Sequence, residues 1–429
     1  MPTKASVNGV RGGGQVRHGG LSSLFDGVAV KRLAAVDACS TTSNQHEITG
    51  SEPLLRILGD EDRKRPRMGA DTRFEAVYIW LGEEGESLSE EGHLSWYDSR
   101  RNKPRKAEWR LYYQSNAVTD LMSPGDSLFL ARRSDDRLMF IVTPSGSTSE
   151  SQLLWLFGLN PQISLAFEPR TFSPANDAEI GFAERFILDE LGIDAEEPDA
   201  IRLDALLEPL GLSFPTTQQF SALARSSVTG VDARQDPDAA LMAWMQREEM
   251  LFRRLERHLV ADRLAAGFRA PDDPDVDGFL NFSLSVQQRR RSRAGLALEN
   301  HLAALLEAQG LQFERGVETE NRNRPDFLFP GRSAYLDPQF PAGRLTLLGA
   351  KSTVRDRWRQ VLSEAERIPE KHLVTLEPGI SENQTDEMRA KHLQLVLPRA
   401  LHSTFRPGQQ AWLMDLKGFI DLVRNRQLA

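Results

Sequence analysis

Asp326 and Lys351 are the residues in this chain whose types and spacing first suggest chemistry. Asp326 stands in "RPDFLF" (324–329), and Lys351 ends the apolar run "LTLLGAK" (345–351), 25 positions later. Metal-assisted hydrolysis of a phosphodiester needs two or more carboxylates around one cation and a positive group near the attacking water. Asp326, at the start of a strand after Pro325, suits the first ligand. Lys351, at the end of a neighbouring strand, suits the positive group. Such a pair is common by chance. An acid two positions before the lysine would complete the set, and Gly349 stands there. Either the site is dead or the missing carboxylate comes from elsewhere.

The segment "KSTVRDRWRQVLSEAERI" (351–368) offers a source. Read as a helix, it puts Asp356, Gln360 and Glu364 on one side at i, i+4, i+8. Packed beside the strand pair, it would carry Glu364 into the volume that an acid at 349 would fill. Glu299 is a further carboxylate, mid-helix between Leu298 and Leu302. Pattern alone fits equally a surface Glu364 paired with Arg359 or Arg367, and a solvated Glu299. Arg355, Asp356 and Arg357 offer different chemistry. An arginine suits the O6/N7 edge of guanine, and an aspartate accepts from cytosine N4–H. An isolated run of this kind would instead be an exposed salt bridge at a helix start.

These residues require an α/β scaffold. The spacing predicts a helix over "SRAGLALENHLAALLEAQG" (292–310) and short strands near 311–318, 325–329, 344–350 and 371–375. A helix follows Lys351 and another spans about 411–426. Upstream, 176–283 reads as helical, with "DAALMAWMQREEMLFRRLERHLVADRLAAG" (238–267) as a connecting layer before the Pro/Asp-rich "FRAPDDPDVDG" (268–278). Between about 71 and 160, five strands rich in aromatic and β-branched residues, split by turns such as "SPGD", predict a small β-barrel or sandwich. Residues 1–70, with the Gly-rich "NGVRGGGQVRHGG" (8–20), read as a flexible segment. The domains are therefore expected at 1–70, 71–175 (β-rich), 176–283 (helical linker) and 284–429 (α/β).

The 429 residues suffice for two or three domains, and 40% apolar with 27% charged residues is ordinary for a globular chain. One cysteine excludes an intramolecular disulfide, and eight scattered histidines show no HxH or HExxH spacing. No apolar run reaches membrane-spanning length and the start lacks a secretory h-region, so a cytoplasmic protein is expected. The net charge of −8 argues against a whole-surface nucleic-acid binder, yet basic clusters at 62–67, 99–106, 287–293 and 351–359 can grip phosphates locally. In "WYDSRRNKPRKAEWRLYYQS" (96–115), aromatics bracket Arg100, Arg101, Lys103, Arg105 and Lys106, which suits a loop lying on phosphates.

From about 286 to 425 the chain resembles, nearly end to end, the catalytic domain of EcoRII-like type II restriction endonucleases. These belong to the PD-(D/E)xK superfamily and its CC…GG-cutting group. The resemblance rests on "RRRSRAGLALENHL", "RPDFLFPGRSAYLDPQFP", "GAKSTVRDRWRQVLSEAERI" and "KHLVTLEPGIS", in order and at family-like spacing. It implies a restriction-endonuclease-like α/β fold, Mg2+-dependent hydrolysis of double-stranded DNA, and a second acid displaced onto the following helix. Asp326, Lys351 and Glu364 match the catalytic positions, Glu299 the additional helix carboxylate, and Tyr335 a tyrosine near the site. The related enzymes use an Arg-Asp-Arg run directly after the lysine for base reading. More faintly, 71–170 resembles the family's effector-binding domain, a DNA-binding pseudobarrel, without residue-level matches. A homodimer is expected on a two-fold DNA site. The alternatives are a catalytically silent DNA-binding regulator and a modification-dependent or repair nuclease.

Overall fold

The computed structural model describes residues 20–38, 46–59, 72–83, 86–100, 104–176, 180–193, 200–211, 213–269 and 274–428, excepting the side chains of 200, 201 and 291. The Gly-rich 8–19, Arg101 and Lys103 lie outside them. Among the described residues no helix is long and apolar enough to cross a membrane.

The N-terminal part is an eight-stranded sheet. Its strands are β1 (Phe25–Arg32), β2 (Glu47–Thr49), β3 (Thr72–Leu81), β4 (Ser87–Asp98), β5 (Trp109–Tyr113), β6 (Ser127–Arg133), β7 (Leu138–Thr143) and β8 (Glu168–Thr171), in the order β2-β5-β4-β3-β7-β6-β1-β8. Only β3 and β7 pair in parallel. Both faces are covered, which is why β6 and β7 read as unbroken apolar runs. Leu138, Phe140 and Val142 of β7 point into a core shared with Leu94, Trp96 and Trp109. Met139 and Ile141 face the other way, onto helices α1 (Thr148–Leu156) and α2 (Phe182–Glu190).

The sequence reading placed Phe25–Arg32 in a flexible segment. Instead β1 lies between β6 and β8, with Phe25, Val28, Ala29 and Val30 buried. The reading of 1–70 is revised at this stretch: "FDGVAVKR" is a strand whose partners β6 and β8 lie about 100 and about 140 residues later, so no local pattern announces it.

Four helices follow: α3 (Ala200–Leu207), α4 (Thr217–Ser227), α5 (Pro237–Ala266) and α6 (Val276–Ala308). Asp236 caps α5 by accepting from the Ala239 N–H at 3.0 Å, and Asp275 caps α6 through the Gly278 N–H at 2.9 Å. Gly267, at φ +77°, ends α5 where an L side chain would be strained.

The C-terminal sheet has β9 (Glu314–Arg315), β10 (Phe327–Phe329), β11 (Thr346–Ala350), β12 (Lys371–Val374) and β13 (Leu393–Val396), ordered β13-β12-β11-β10-β9. β9, β10 and β11 are antiparallel; β11, β12 and β13 are parallel. Helices α7 (Arg332–Leu336), α8 (Trp358–Leu362), α9 (Glu382–Ala390) and α10 (Leu416–Leu428) complete it. This is the mixed α/β fold that the sequence predicts.

The boundary at 284 needs revision, because it falls inside α6. The stretch read as a linker supplies Ala240, Leu241, Trp244 and Met245 to the same core as Leu298, Leu302, Leu347 and Phe419. The Asp238 carboxylate accepts from the backbone N–H groups of Arg399, Leu416 and Lys417 at 3.0–3.1 Å. α5 is thus part of the α/β unit. The change of core falls between Ile193, packed on the N-terminal sheet, and Leu203, packed on α5.

Candidate active site

β10 and β11 are antiparallel, with Phe327 opposite Leu348. The residue before β10 and the residue after β11 therefore meet at one end of the pair. They are Asp326 and Lys351. The Lys351 ammonium donates to Asp326 Oδ2 at 2.8 Å, and the Ala350 N–H donates to the same oxygen at 2.7 Å. The Lys351 N–H bonds the Val374 carbonyl at 3.0 Å, which fixes it against β12 as well.

Gly349 explains the missing acid. A Cβ there would lie 2.8 and 3.2 Å from the two methyls of Val361 and 3.4 Å from Leu373 Cδ1. Val361 is fully buried, on α8. The room for an acid at 349 is therefore filled by the segment that brings Glu364.

The route Glu364 takes differs from the one predicted. α8 is only five residues long, Trp358–Leu362. Asp356 precedes it in a turn, and Glu364 follows it in a second turn where Ala365 has φ +48°. Asp356, Gln360 and Glu364 thus do not share a helix face. Even so, Glu364 reaches the electrostatic neighbourhood of Asp326 and Lys351. Burial, and next the negative charge of Asp326, push its carboxyl up to about 7, against the pull of Lys351 and Lys371. Its Oε2 is buried with no hydrogen-bond partner. A buried carboxylate oxygen without a donor, beside a second carboxylate, is what a cation would satisfy.

The structure thus brings Asp326, Lys351 and Glu364 together. Glu299 on α6 is paired with Arg315 of β9 at 3.0 Å, and Arg315 in turn lies over the Phe327 ring. The Tyr335 hydroxyl, on α7, donates to Glu320 Oε2 at 2.5 Å and accepts from the Arg367 N–H at 3.4 Å. Burial, with that bond to Glu320, pushes Tyr335 up to about 12. Its hydroxyl therefore supports the turn after Glu364 as a neutral group.

Arg355 has φ +41° and pairs with Glu190, at the end of α2, at 3.1 Å. Arg357 donates to the Thr353 carbonyl at 2.7 Å and to the Thr353 hydroxyl. Asp356 is exposed. In the N-terminal sheet Arg100 pairs with Glu108 at 2.8 Å, Lys106 with Glu52 at 3.1 Å, and Arg105 is exposed.

Three supporting residues escaped the sequence reading: Glu320, Lys371 and Glu377. For Lys371 and Glu377 the signal was a charge at each end of the mostly apolar run "HLVTL" (372–376), where a buried charge must find partners; Glu320 carries no such signal. Glu377 is buried and accepts from the Val354 N–H beneath the Arg355–Arg357 turn. Burial pushes it up to about 7, while the Val354 N–H and both arginines oppose the rise. A raised carboxyl stabilises the fold fully below its unfolded value and loses that contribution as pH rises through about 7. Glu377→Gln removes the titration and keeps an acceptor. Relative to wild type, it is expected to gain stability from pH 5 to pH 8, by at most about 3 kcal/mol. Urea unfolding at the two pH values checks this; a gap that does not change with pH contradicts it.

A sheet end carrying Asp326 and Lys351, with Glu364 delivered from the following segment, is a candidate site for metal-assisted chemistry. Residues 252–420 match the family described as EcoRII C terminal. Over 216 residues the chain is 39% identical to the Type II restriction enzyme EcoRII of Escherichia coli, covering 50% of this chain and 52% of that protein. It therefore spans about half the length of this curated relative. The α/β part of the chain is thus similar in sequence to the C-terminal part of that enzyme family. Among solved structures, metal-depleted Ecl18kI in complex with uncleaved DNA aligns with 18% identity and a TM-score of 0.43, over 54% of this chain and 85% of that one. The PspGI–substrate DNA complex aligns with 14% identity and a TM-score of 0.38, over 56% and 94%.

Proposed function

We propose that this protein is a cytoplasmic type II site-specific endonuclease that hydrolyses both strands of duplex DNA with Mg2+ at a 5′-CC…GG type sequence. It acts as a homodimer, with the N-terminal β-rich part binding a second, effector copy of the site. The observation that carries the reading is the meeting of Asp326, Lys351 and Glu364, with an unpartnered buried Glu364 oxygen.

Among the described residues there is no group of three or more His, Cys, Asp and Glu that could hold a metal. Two carboxylates nonetheless fit Mg2+, which keeps several waters and takes one or two protein carboxylates. Asp326 and Glu364 would hold it. When bound, it supplies charge neutralisation at the phosphate and acidifies a bound water. Lys351, fixed between Asp326 and the β12 backbone, orients the attacking water. Glu299 fixes Arg315 on β9 beside this sheet end, and Tyr335 holds the turn that presents Glu364. Arg355 and Arg357 read guanine edges, and Asp356 reads cytosine. The loop carrying Arg100, Arg101, Lys103, Arg105 and Lys106 lies on effector phosphates.

Base reading is tested by Arg357→Ala. A bidentate guanine contact is worth about 1–3 kcal/mol. The variant is therefore expected to lose about one to two decades of preference for a CC…GG duplex over a scrambled one. Neutralising Lys103 and Arg105 should instead weaken binding to both duplexes and flatten the salt dependence. Binding isotherms at two salt concentrations separate these. An equal loss for both duplexes in Arg357→Ala makes that arginine a phosphate clamp and removes the main support for the sequence. The activity itself is tested by incubating the full chain with plasmid and Mg2+; the absence of discrete fragments at CC…GG sites overturns it.

A further inference from the structure

Lys371 opens β12 and is 6% exposed. A buried ammonium is costly unless its charge and donors are met. Here they are met by the turn that follows Glu364. Lys371 Nζ donates to the Ile368 carbonyl at 2.8 Å and to the Ala365 carbonyl at 3.3 Å. Glu320, Glu364 and Glu366 all lie within its electrostatic reach. Within the turn the Ile368 N–H donates to the Ala365 carbonyl at 2.9 Å, and Ala365 sits at φ +48°, an unfavourable conformation for a residue with a Cβ. From outside it is clasped by Asn323, which donates to the Ser363 carbonyl at 2.7 Å. Glu320 accepts from the Glu366 N–H, and Arg367 donates to the Asp337 and Phe340 carbonyls at 3.0 and 2.9 Å. Lys371 is the cation at the centre of this clasp.

We propose that Lys371 is a positioning residue. Its buried ammonium shapes the 364–368 turn through the Ala365 and Ile368 carbonyls and so sets where Glu364 presents its carboxylate to a divalent cation. Lys351 touches the other carboxylate directly; Lys371 acts only through the backbone of the turn and through its charge beside Glu364. The proposal rests on reading Glu364 as a metal ligand, and its test separates the two.

The experiment compares full-length wild type, Lys371→Met, Lys371→Gln and Glu364→Gln. Mn2+ binding is followed by the electron paramagnetic resonance of the free ion, the Mg2+ midpoint by plasmid cleavage, and cognate-duplex binding is measured in EDTA. Groups that orient metal ligands typically contribute about 10–100-fold in affinity. Both Lys371 variants are expected to weaken Mn2+ binding and raise the Mg2+ midpoint by that factor, with duplex binding in EDTA unchanged. Lys371→Gln, which keeps a donor for one carbonyl, gives the reading if the methionine variant fails to fold. Wild-type Mn2+ affinity and Mg2+ midpoint in a folded Lys371 variant overturn the positioning role, as does an equal loss of duplex binding in EDTA. If Glu364→Gln itself keeps wild-type Mn2+ affinity, the metal reading of Glu364 falls first.

Discussion

Glu364→Gln is expected to abolish Mg2+-dependent cleavage, by on the order of 10³-fold or more, since one lost member disables a site whose members act as a unit. Binding of a cognate duplex without metal should stay within a few-fold of wild type, because among the described residues Arg355 pairs with Glu190 and Arg357 with Thr353. The amide keeps the shape of the side chain and removes only its charge. Asp326→Asn and Lys351→Met should fall with it. Single-turnover cleavage at saturating Mg2+ is the measurement. A Glu364→Gln enzyme cutting at the wild-type rate means that the second carboxylate lies elsewhere, and Glu299 would then be the next to test.

A fragment of residues 200–429 is expected to fold and cleave plasmid DNA, whereas 280–429 is expected to be aggregated or unfolded. The shorter fragment loses Leu241, Trp244 and Met245 from the core, and with them the Asp238 carboxylate that receives three backbone N–H groups. Full burial of one large apolar side chain contributes about 1.5–3 kcal/mol. Three of them, with the hydrogen bonds, approach the whole net stability of a typical domain, about 5–15 kcal/mol. Size-exclusion profiles and the cooperativity of thermal unfolding distinguish the fragments. A monodisperse, cooperatively melting 280–429 would show that α5 is dispensable and that the earlier boundary is the right one.

That boundary shows where the sequence misleads. The stretch 238–267 announces an amphipathic helix, but not which body its apolar stripe serves; the contacts to Leu298 and Phe419 are made across long separations. Strands β3 to β7 were legible because turn residues separate runs of aromatic and β-branched residues. β1 was not, since its partners β6 and β8 come far later in the chain. At the site, Asp326 and Lys351 were legible because a charged residue ends each of two short apolar strands. Glu364 was singled out through a geometry the structure does not have: a continuous helix was assumed, and the chain turns at Ala365 instead. Lys371 stayed hidden because its partners are backbone carbonyls, which carry no signature in residue type.

The filling of position 349 by Val361 has a bearing on the order in which such a site can change. An acid cannot be accepted at 349 while the valine methyls stand 2.8 and 3.2 Å from its Cβ. A lineage moving the carboxylate back to the strand must therefore shrink residue 361 first, at the cost of a buried cavity, and only then replace the glycine. Taken in the opposite order, the first step is a clash in the sheet. The two placements of the acid are thus separated by a valley that single substitutions cross in one order only, and Gly349→Asp alone should fail to rescue a Glu364→Gln variant.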